Sequence, residues 1–138
     1  NKVLITNATS CFLCCREAIR AMPSGGAIVN VSSAASRLGA PDEYIDYAAS
    51  KGAMDSLTRG LSLELADRNI RVNAVRPGFI DTEMHADGGE ANRVARLTPQ
   101  IPLKRGGTPA EVANSIAWLL SDQASYVTGT FIDIAGGK

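Results

Sequence analysis

Short apolar runs separated by helical segments are the feature that most restricts the fold of this sequence. The runs read AIVNV at residues 27–31, IRVNAVRPG at 70–78 and TFIDI at 130–134. Each is rich in Val or Ile and bounded by turn residues, which is typical of short buried strands. Strands joined by helices favour parallel pairing, so we expect an α/β fold with a doubly wound parallel sheet in three α/β/α layers.

The remaining segments are assigned from the spacing of their apolar residues. KVLIT at residues 2–6 is predicted to be a further buried strand, because its Val-Leu-Ile run lacks alternation. Helical spacing predicts helices over residues 9–22, 41 to about 66, a short stretch near 90–97, and 108–120. The segment 79–107 is otherwise polar and irregular, which is typical of a lid or a binding loop.

Two of the predicted helices carry further signals. Thr108 and Glu111 have the spacing of a capping box, with Pro109 at the first helical position. The long helix is expected to begin at the acidic Pro-Asp-Glu stretch 41–43, because carboxylates are favourable at a helix amino end. A single stripe of apolar residues is expected to face inward on this helix: Met54, Leu57, Leu61 and Leu65.

Composition limits the class of partner. The 138 residues carry 14 basic and 14 acidic side chains, and 45% are hydrophobic, as in one ordinary globular domain. Without a basic excess we expect neither nucleic acid nor a membrane surface as partner, but a small molecule. No apolar run approaches the roughly 20 residues of a membrane span, and the start of the sequence lacks a secretion signal, so we expect a cytoplasmic protein.

Three cysteines are clustered at Cys11, Cys14 and Cys15. An odd number without a secretion signal argues against a disulfide framework, so reduced thiols are expected. The C-x-x-C spacing leaves a metal or redox site as the alternative. The single histidine, His85, is distant in the sequence, so we favour structural burial of the thiols and expect no metal site.

Residues 30–51 hold the chemistry-bearing side chains of this sequence. Tyr47 and Lys51 are four residues apart on a predicted helix, and therefore lie on one face. A cation one turn away favours the phenolate form of a tyrosine, which suits general acid and base work. Ser33 follows the strand 27–31, and ligands of doubly wound sheets bind beyond the carboxyl ends of the strands. We therefore expect Ser33, Tyr47 and Lys51 to converge; the alternative is a solvated helix face.

Four motifs together resemble the short-chain dehydrogenase/reductase family. They are VNVSS at 29–33, YAASK at 47–51, RPGFIDT at 76–82 and VTGTFIDIAGG at 127–137, in the family's order. The resemblance extends from about residue 7 onward and is to the compact, single-domain branch of the Tyr-x-x-x-Lys type. It implies a Rossmann-like fold for residues 1–138 and an NAD(P)-dependent oxidoreductase.

The resemblance also implies roles for individual residues. Ser33 matches the serine that hydrogen-bonds the substrate oxygen, although its spacing to Tyr47 is one residue longer than usual, which leaves Ser32 as an alternative. Tyr47 matches the general acid/base. Lys51 matches the lysine that assists it and holds the nicotinamide ribose, and Asn7 matches the asparagine of a water-linked proton relay. The wall beside the nicotinamide is matched by Pro77, Gly78, Ile80 and Thr82.

The family's cofactor-binding apparatus for pyrophosphate and adenosine is missing from the sequence. Neither the Gly-rich turn after the first strand nor the residue that separates NAD from NADP can be found, so either cofactor remains possible. In the family the Gly-rich turn follows the first strand, but here Thr6 is followed directly by Asn7. We therefore expect that residues are omitted between 6 and 7, and that a second omission lies near 22–25. The alternative is a truncated protein.

Three readings of the function remain open at this stage. The first is hydride transfer between a nicotinamide cofactor and a small alcohol or carbonyl compound. The second is an epimerase or dehydratase of the extended branch acting on nucleotide sugars. The third is a non-catalytic Rossmann-like scaffold. The resemblance further implies a homodimer or homotetramer built on the helix that carries Tyr47.

Overall fold

The computed structural model describes residues 2–138, and its centre is a parallel three-stranded sheet. The strands are β1 (Gly26–Val31), β2 (Ile70–Pro77) and β3 (Phe131–Ile134), in the order β1-β2-β3. Ala27 pairs with Arg71, and Ala74 pairs with Phe131, in parallel registers. The predicted parallel α/β sheet is confirmed, with strand bounds within one residue of those expected.

Seven α-helices accompany the sheet in the part of the chain that the structure describes. They are α1 (Lys2–Leu4), α2 (Ser10–Ala21), α3 (Ala35–Leu38), α4 (Ile45–Glu64), α5 (Met84–Asp87), α6 (Arg93–Leu97) and α7 (Pro109–Leu120). A π-helical segment, Ile5–Thr9, joins α1 to α2. None of the helices among residues 2–138 is long and apolar enough to cross a membrane.

The helices cover both faces of the sheet, as a doubly wound fold requires. On one face, Asn30 of β1 donates from Nδ2 to Thr58 Oγ1 of α4 at 2.9 Å, and its Oδ1 lies 3.5 Å from Cys15 Sγ of α2. On the other face, Arg71 of β2 reaches the end of α7. The layers are therefore α2 and α4, then the sheet, then α7.

A small apolar cluster anchors the first of these helix layers. Leu65, Ile70 and Val72 are at most 4% exposed. They pack with four partly buried side chains from α2, β1 and α4: Ile19, Met22, Ile28 and Leu61. Because Leu65 lies at the end of α4 and Ile70 begins β2, this cluster fixes the turn between the two elements that carry the site.

The inward face of α4 is more polar than its stripe of leucines predicts. Ser50, Thr58 and Ser62 are at most 2% exposed, while Leu57 is only half-buried. The three hydroxyls donate to carbonyls of the same helix, at Tyr47, Met54 and Arg59. Back-bonding of this kind satisfies a buried hydroxyl without a partner outside the helix.

The predicted strand at residues 2–6 is wrong. These residues are helical and lead through the π-helical segment into α2. The β-propensity scale spans only about 1 kcal/mol per residue, and tertiary contacts readily override it, here with α4. Thr6 and Asn7 are neighbours in one helical segment, so no strand ends at Thr6. The omissions of residues expected between 6 and 7 and near 22–25 stay predictions.

The start of the long helix also differs from the prediction. The helix α4 begins at Ile45 with Tyr44 as its N-cap, and the Pro-Asp-Glu stretch 41–43 lies in the turn before it. Ala40 and Asp42 have φ of 46° and 62°. Left-handed backbone at these two positions cannot belong to a right-handed helix.

The segment 79–107 contains two short helices, α5 and α6, rather than the one predicted near 90–97. Its two ends are joined by a bridge between Ile80 and Gly107. The predicted capping box of α7 is confirmed, since Thr108 accepts from the Glu111 backbone and Glu111 accepts from the Thr108 backbone. We call residues 79–107 the lid segment below.

The carboxyl end of α7 is held by a single guanidinium. Arg71 donates to the carbonyl oxygens of Leu119, Ser121 and Val127 at 2.8, 3.1 and 3.2 Å. The last carbonyls of a helix have no partner within it, and a cation at this end also interacts favourably with the helix dipole.

We predict that Arg71→Met lowers the free energy of unfolding by about 2–4 kcal/mol, because three partly buried carbonyls lose a charged donor. Urea denaturation followed by circular dichroism measures this. The control is Arg20→Met, which removes an exposed arginine paired only with Glu17, and we expect a change below about 0.5 kcal/mol. Equal effects of both substitutions would contradict the prediction.

Candidate active site

A pocket of about 500 Å³ lies beyond the carboxyl ends of β1 and β2. Ser33, which follows β1, and Tyr47, in the first turns of α4, both line it. Pro77 and Gly78 at the end of β2 form another part of its wall, and the lid segment covers it. The structure thus brings four of the predicted site residues to one cavity.

Lys51 lies behind Tyr47 rather than in the pocket. Its Nζ is 5.6 Å from the centroid of the Tyr47 ring and donates to the Val31 carbonyl oxygen at 2.9 Å. Burial lowers the pKa of the Lys51 ammonium below its usual value, although Cys11 and Asp55 oppose this. The ammonium is therefore tied to the last residue of β1 on one side and faces the phenol ring on the other.

The two serines after β1 are clearly distinguished by their surroundings. Ser33 lines the pocket, and its Oγ accepts from the Ala35 backbone at 3.1 Å, so its hydroxyl proton is free to donate elsewhere. Ser32 is 3% exposed and donates to the Lys51 carbonyl oxygen at 3.3 Å. The geometry therefore favours Ser33 over the alternative, Ser32, as the group that meets a ligand.

Asn7 reaches the site through a serine that sequence reasoning missed. Its Nδ2 donates to Ser50 Oγ at 2.9 Å, and Ser50 in turn donates to the Tyr47 carbonyl oxygen at 2.7 Å. Asn7 lies in the π-helical segment, a form that occurs often at functional sites. The only sequence signal for Ser50 is its position between Tyr47 and Lys51 on the inward face of α4.

The remaining predicted residues follow β2. Gly78 is required by close packing, since a Cβ there would lie 2.8 Å from the Cβ of Ala135. Ile80 is buried and helps to close the base of the lid segment, but it does not line the pocket. Thr82 Oγ1 is buried and has no hydrogen-bond partner among the described residues. A buried hydroxyl without a partner is uncommon in a folded protein.

The cysteines differ from one another in burial. Cys15 is buried beside Asn30, Cys11 is half-buried, and Cys14 is exposed, so the expected structural burial holds fully for Cys15 alone. In residues 2–138, no group of three or more His, Cys, Asp and Glu side chains is arranged to hold a metal ion.

Helices on both faces of a parallel sheet, with a pocket at the carboxyl ends of its strands, define a Rossmann-like protein. A family model described as enoyl-(acyl carrier protein) reductase matches residues 1–138. The chain belongs to the short-chain dehydrogenase/reductase family.

Individual relatives agree with this assignment. The chain is 68% identical to the uncharacterized oxidoreductase YgfF of Escherichia coli, over all of the chain and 58% of that protein. It is 44% identical to 3β-hydroxysteroid dehydrogenase 1 of Eggerthella lenta, over 99% of the chain and 53% of that protein. A crystal structure of a short-chain type dehydrogenase/reductase from Mycobacterium marinum superposes with a TM-score of 0.90 at 38% identity, covering 97% of this chain and 54% of the other. The chain thus spans about half the length of the relatives it matches.

We predict that Asn7→Ala and Ser50→Ala are strongly coupled. Each single substitution should lower the free energy of unfolding by about 1 kcal/mol, because a partly buried hydrogen bond is lost. The free energy of unfolding of the double variant should be at most about 0.5 kcal/mol below that of the less stable single variant. Urea denaturation of the four proteins measures the coupling, and additive losses would contradict it.

Proposed function

We propose that this protein is an NAD(P)-dependent oxidoreductase that transfers a hydride between a nicotinamide cofactor and a small alcohol or carbonyl compound. The observation that carries the proposal is the meeting of Ser33 and Tyr47 on one pocket wall, with the Lys51 ammonium 5.6 Å from the Tyr47 ring. The dehydrogenase and oxidoreductase names of the relatives support this reaction class.

The residues beside the pocket fit a nicotinamide cofactor. Thr82 Oγ1 is a buried hydroxyl without a partner in the described chain, which suits the carboxamide. Lys51 uses one of its three ammonium protons on Val31, which leaves two for the ribose hydroxyls. The residues that would hold the cofactor are Tyr47, Lys51, Pro77, Gly78, Ile80 and Thr82. When bound, the cofactor supplies or accepts the hydride.

The protein's own part is to stabilise charge and to move a proton. During reduction, negative charge grows on the carbonyl oxygen, where Ser33 and Tyr47 donate hydrogen bonds and Tyr47 gives up its proton. The ammonium of Lys51 stabilises the phenolate that results. Asn7 supports the path by which a proton returns towards Lys51. In alcohol oxidation the same groups act in reverse.

The pocket agrees with a small substrate. Its volume of about 500 Å³ lies within the range of about 300–1,000 Å³ found for small-molecule sites. Much of its wall is apolar or aromatic, with contributions from Ala34, Leu38, Tyr44 and Phe79. A compact alcohol or ketone with an apolar body is therefore the substrate class that we propose.

We also infer that the protein acts in the cytoplasm as a homodimer or homotetramer assembled on α4. Ile45 and Leu63 of that helix are 67% and 64% exposed, and Phe12 of the neighbouring α2 is 53% exposed. Apolar surface of this kind is commonly covered in assemblies. Light scattering after gel filtration measures the mass, and a monomer would contradict the assembly.

We predict that Tyr47→Phe lowers kcat/KM for carbonyl reduction by about 10²–10⁴-fold, because the ring stays while the proton donor is lost. Steady-state assays with NADH and NADPH on the protein expressed from its complete coding sequence measure this. Tyr126→Phe is the control, since Tyr126 is fully exposed. Retained activity in Tyr47→Phe would exclude the proposed role.

We predict that Thr82→Val weakens binding of the preferred nicotinamide cofactor by about 2- to 12-fold, because one hydrogen bond is lost. Isothermal titration with NADH and with NADPH measures the affinity without turnover. Thr98→Val is the control, because the Thr98 hydroxyl already donates to the Val94 carbonyl oxygen of α6. Failure of the unsubstituted protein to bind either cofactor would favour the non-catalytic scaffold.

A further inference from the structure

The lid segment is fastened to the site by one guanidinium. Arg93, the first residue of α6, has a side chain that is only 14% exposed and lines the pocket. It donates to Glu43 Oε2, and its Nη1 lies 3.6 Å from Glu90. A buried cation is costly unless it is paired, and these two carboxylates supply that pairing.

The same guanidinium lies close to two aromatic rings. The Arg93 Cζ atom is 5.4 Å from the centroid of the Tyr44 ring and 5.8 Å from that of Phe79. These are cation–π distances, so both rings attract the guanidinium. Glu43 and Tyr44 directly precede α4, and Phe79 directly follows Gly78. Arg93 thus contacts the segment that precedes the Tyr47 helix and the segment that follows β2 at the pocket.

A second arginine strengthens this pairing from outside. Arg96 is hydrogen-bonded to Glu90 and lies 3.7 Å from Glu43, and the pKa of Glu90 is lowered chiefly by Arg96. Two arginines and two carboxylates therefore form one connected network at the pocket mouth. Such networks contribute more than isolated surface pairs because each charge has more than one partner.

We propose that Arg93 is a positioning residue that holds the lid segment closed over the pocket by its pairing with Glu43, and that it thereby sets the affinity for the substrate. The kinetic part of this inference rests on the proposed function. Arg93 is not a proton donor in it: the groups at the reacting atoms remain Ser33 and Tyr47. Breaking the pairing should therefore raise KM while leaving kcat nearly unchanged.

The kinetic test is a double-mutant cycle in the protein expressed from its complete coding sequence. We expect Glu43→Gln and Arg93→Gln each to raise KM for the carbonyl substrate at least 10-fold, with kcat within about threefold, and the double variant to resemble the singles. Arg105→Gln is the control, since Arg105 pairs with Glu111 outside the pocket, and its KM should change less than twofold. Unchanged KM in the singles, or additive effects, would overturn the proposal.

Limited proteolysis tests the same contact without turnover. Glu43→Gln keeps the tryptic sites of the lid segment, at Arg93, Arg96, Lys104 and Arg105, and should be cleaved there at least 10-fold faster than the unsubstituted protein. Glu17→Gln, from an exposed pair on α2, should be cleaved at the unsubstituted rate. Cleavage of Glu43→Gln at the unsubstituted rate would overturn the proposal. If the protein reduces no carbonyl compound at all, the proposed function fails. The proteolysis rates alone then test whether Arg93 and Glu43 hold the lid segment closed.

Discussion

The close packing of α4 against the sheet is the constraint on which the site depends. It is possible because Ser50, Thr58 and Ser62 return their hydroxyl protons to carbonyls of their own helix. A face of larger apolar side chains would hold the helix farther away, and the Lys51 ammonium would then lose the Val31 carbonyl. The small buried hydroxyls thus keep the Lys51 ammonium within reach of β1, while the helical spacing of α4 places it beside Tyr47.

Much of the fold could be predicted because local signals and tertiary contacts agree. The Val- and Ile-rich runs that form β1, β2 and β3 are bounded by turn residues, and the Thr108–Glu111 capping box closes its own hydrogen bonds locally. Residues 2–6 could not be predicted correctly, since their strand preference is outweighed by packing on α4. The polar inward face of α4 could not be predicted either, because the spacing of apolar residues does not show which hydroxyls donate to carbonyls of their own helix.

The candidate site also contains features that the sequence predicts and features that it does not. Ser33, Tyr47, Pro77 and Gly78 were predicted and reach one pocket, since each lies at the carboxyl end of a strand or in the helix that follows. The roles assigned to these residues stay predictions until the variants are measured. Contacts between segments distant in sequence were missed, above all Asn7 with Ser50 and Glu43 with Arg93. Their members are common polar residues whose spacing along the chain carries no periodic signal.

The left-handed backbone at Ala40 and Asp42 has a consequence for how such proteins are found. Thirteen residues separate Ser33 from Tyr47 along the chain, yet both side chains line the same pocket. Ala40 and Asp42 bend the chain in the turn just before α4 begins. The site depends on where the two oxygens meet in space and not on the count of residues between them. A search pattern that anchors the serine to a strand and the tyrosine to a helix describes this site without fixing the number of residues between them.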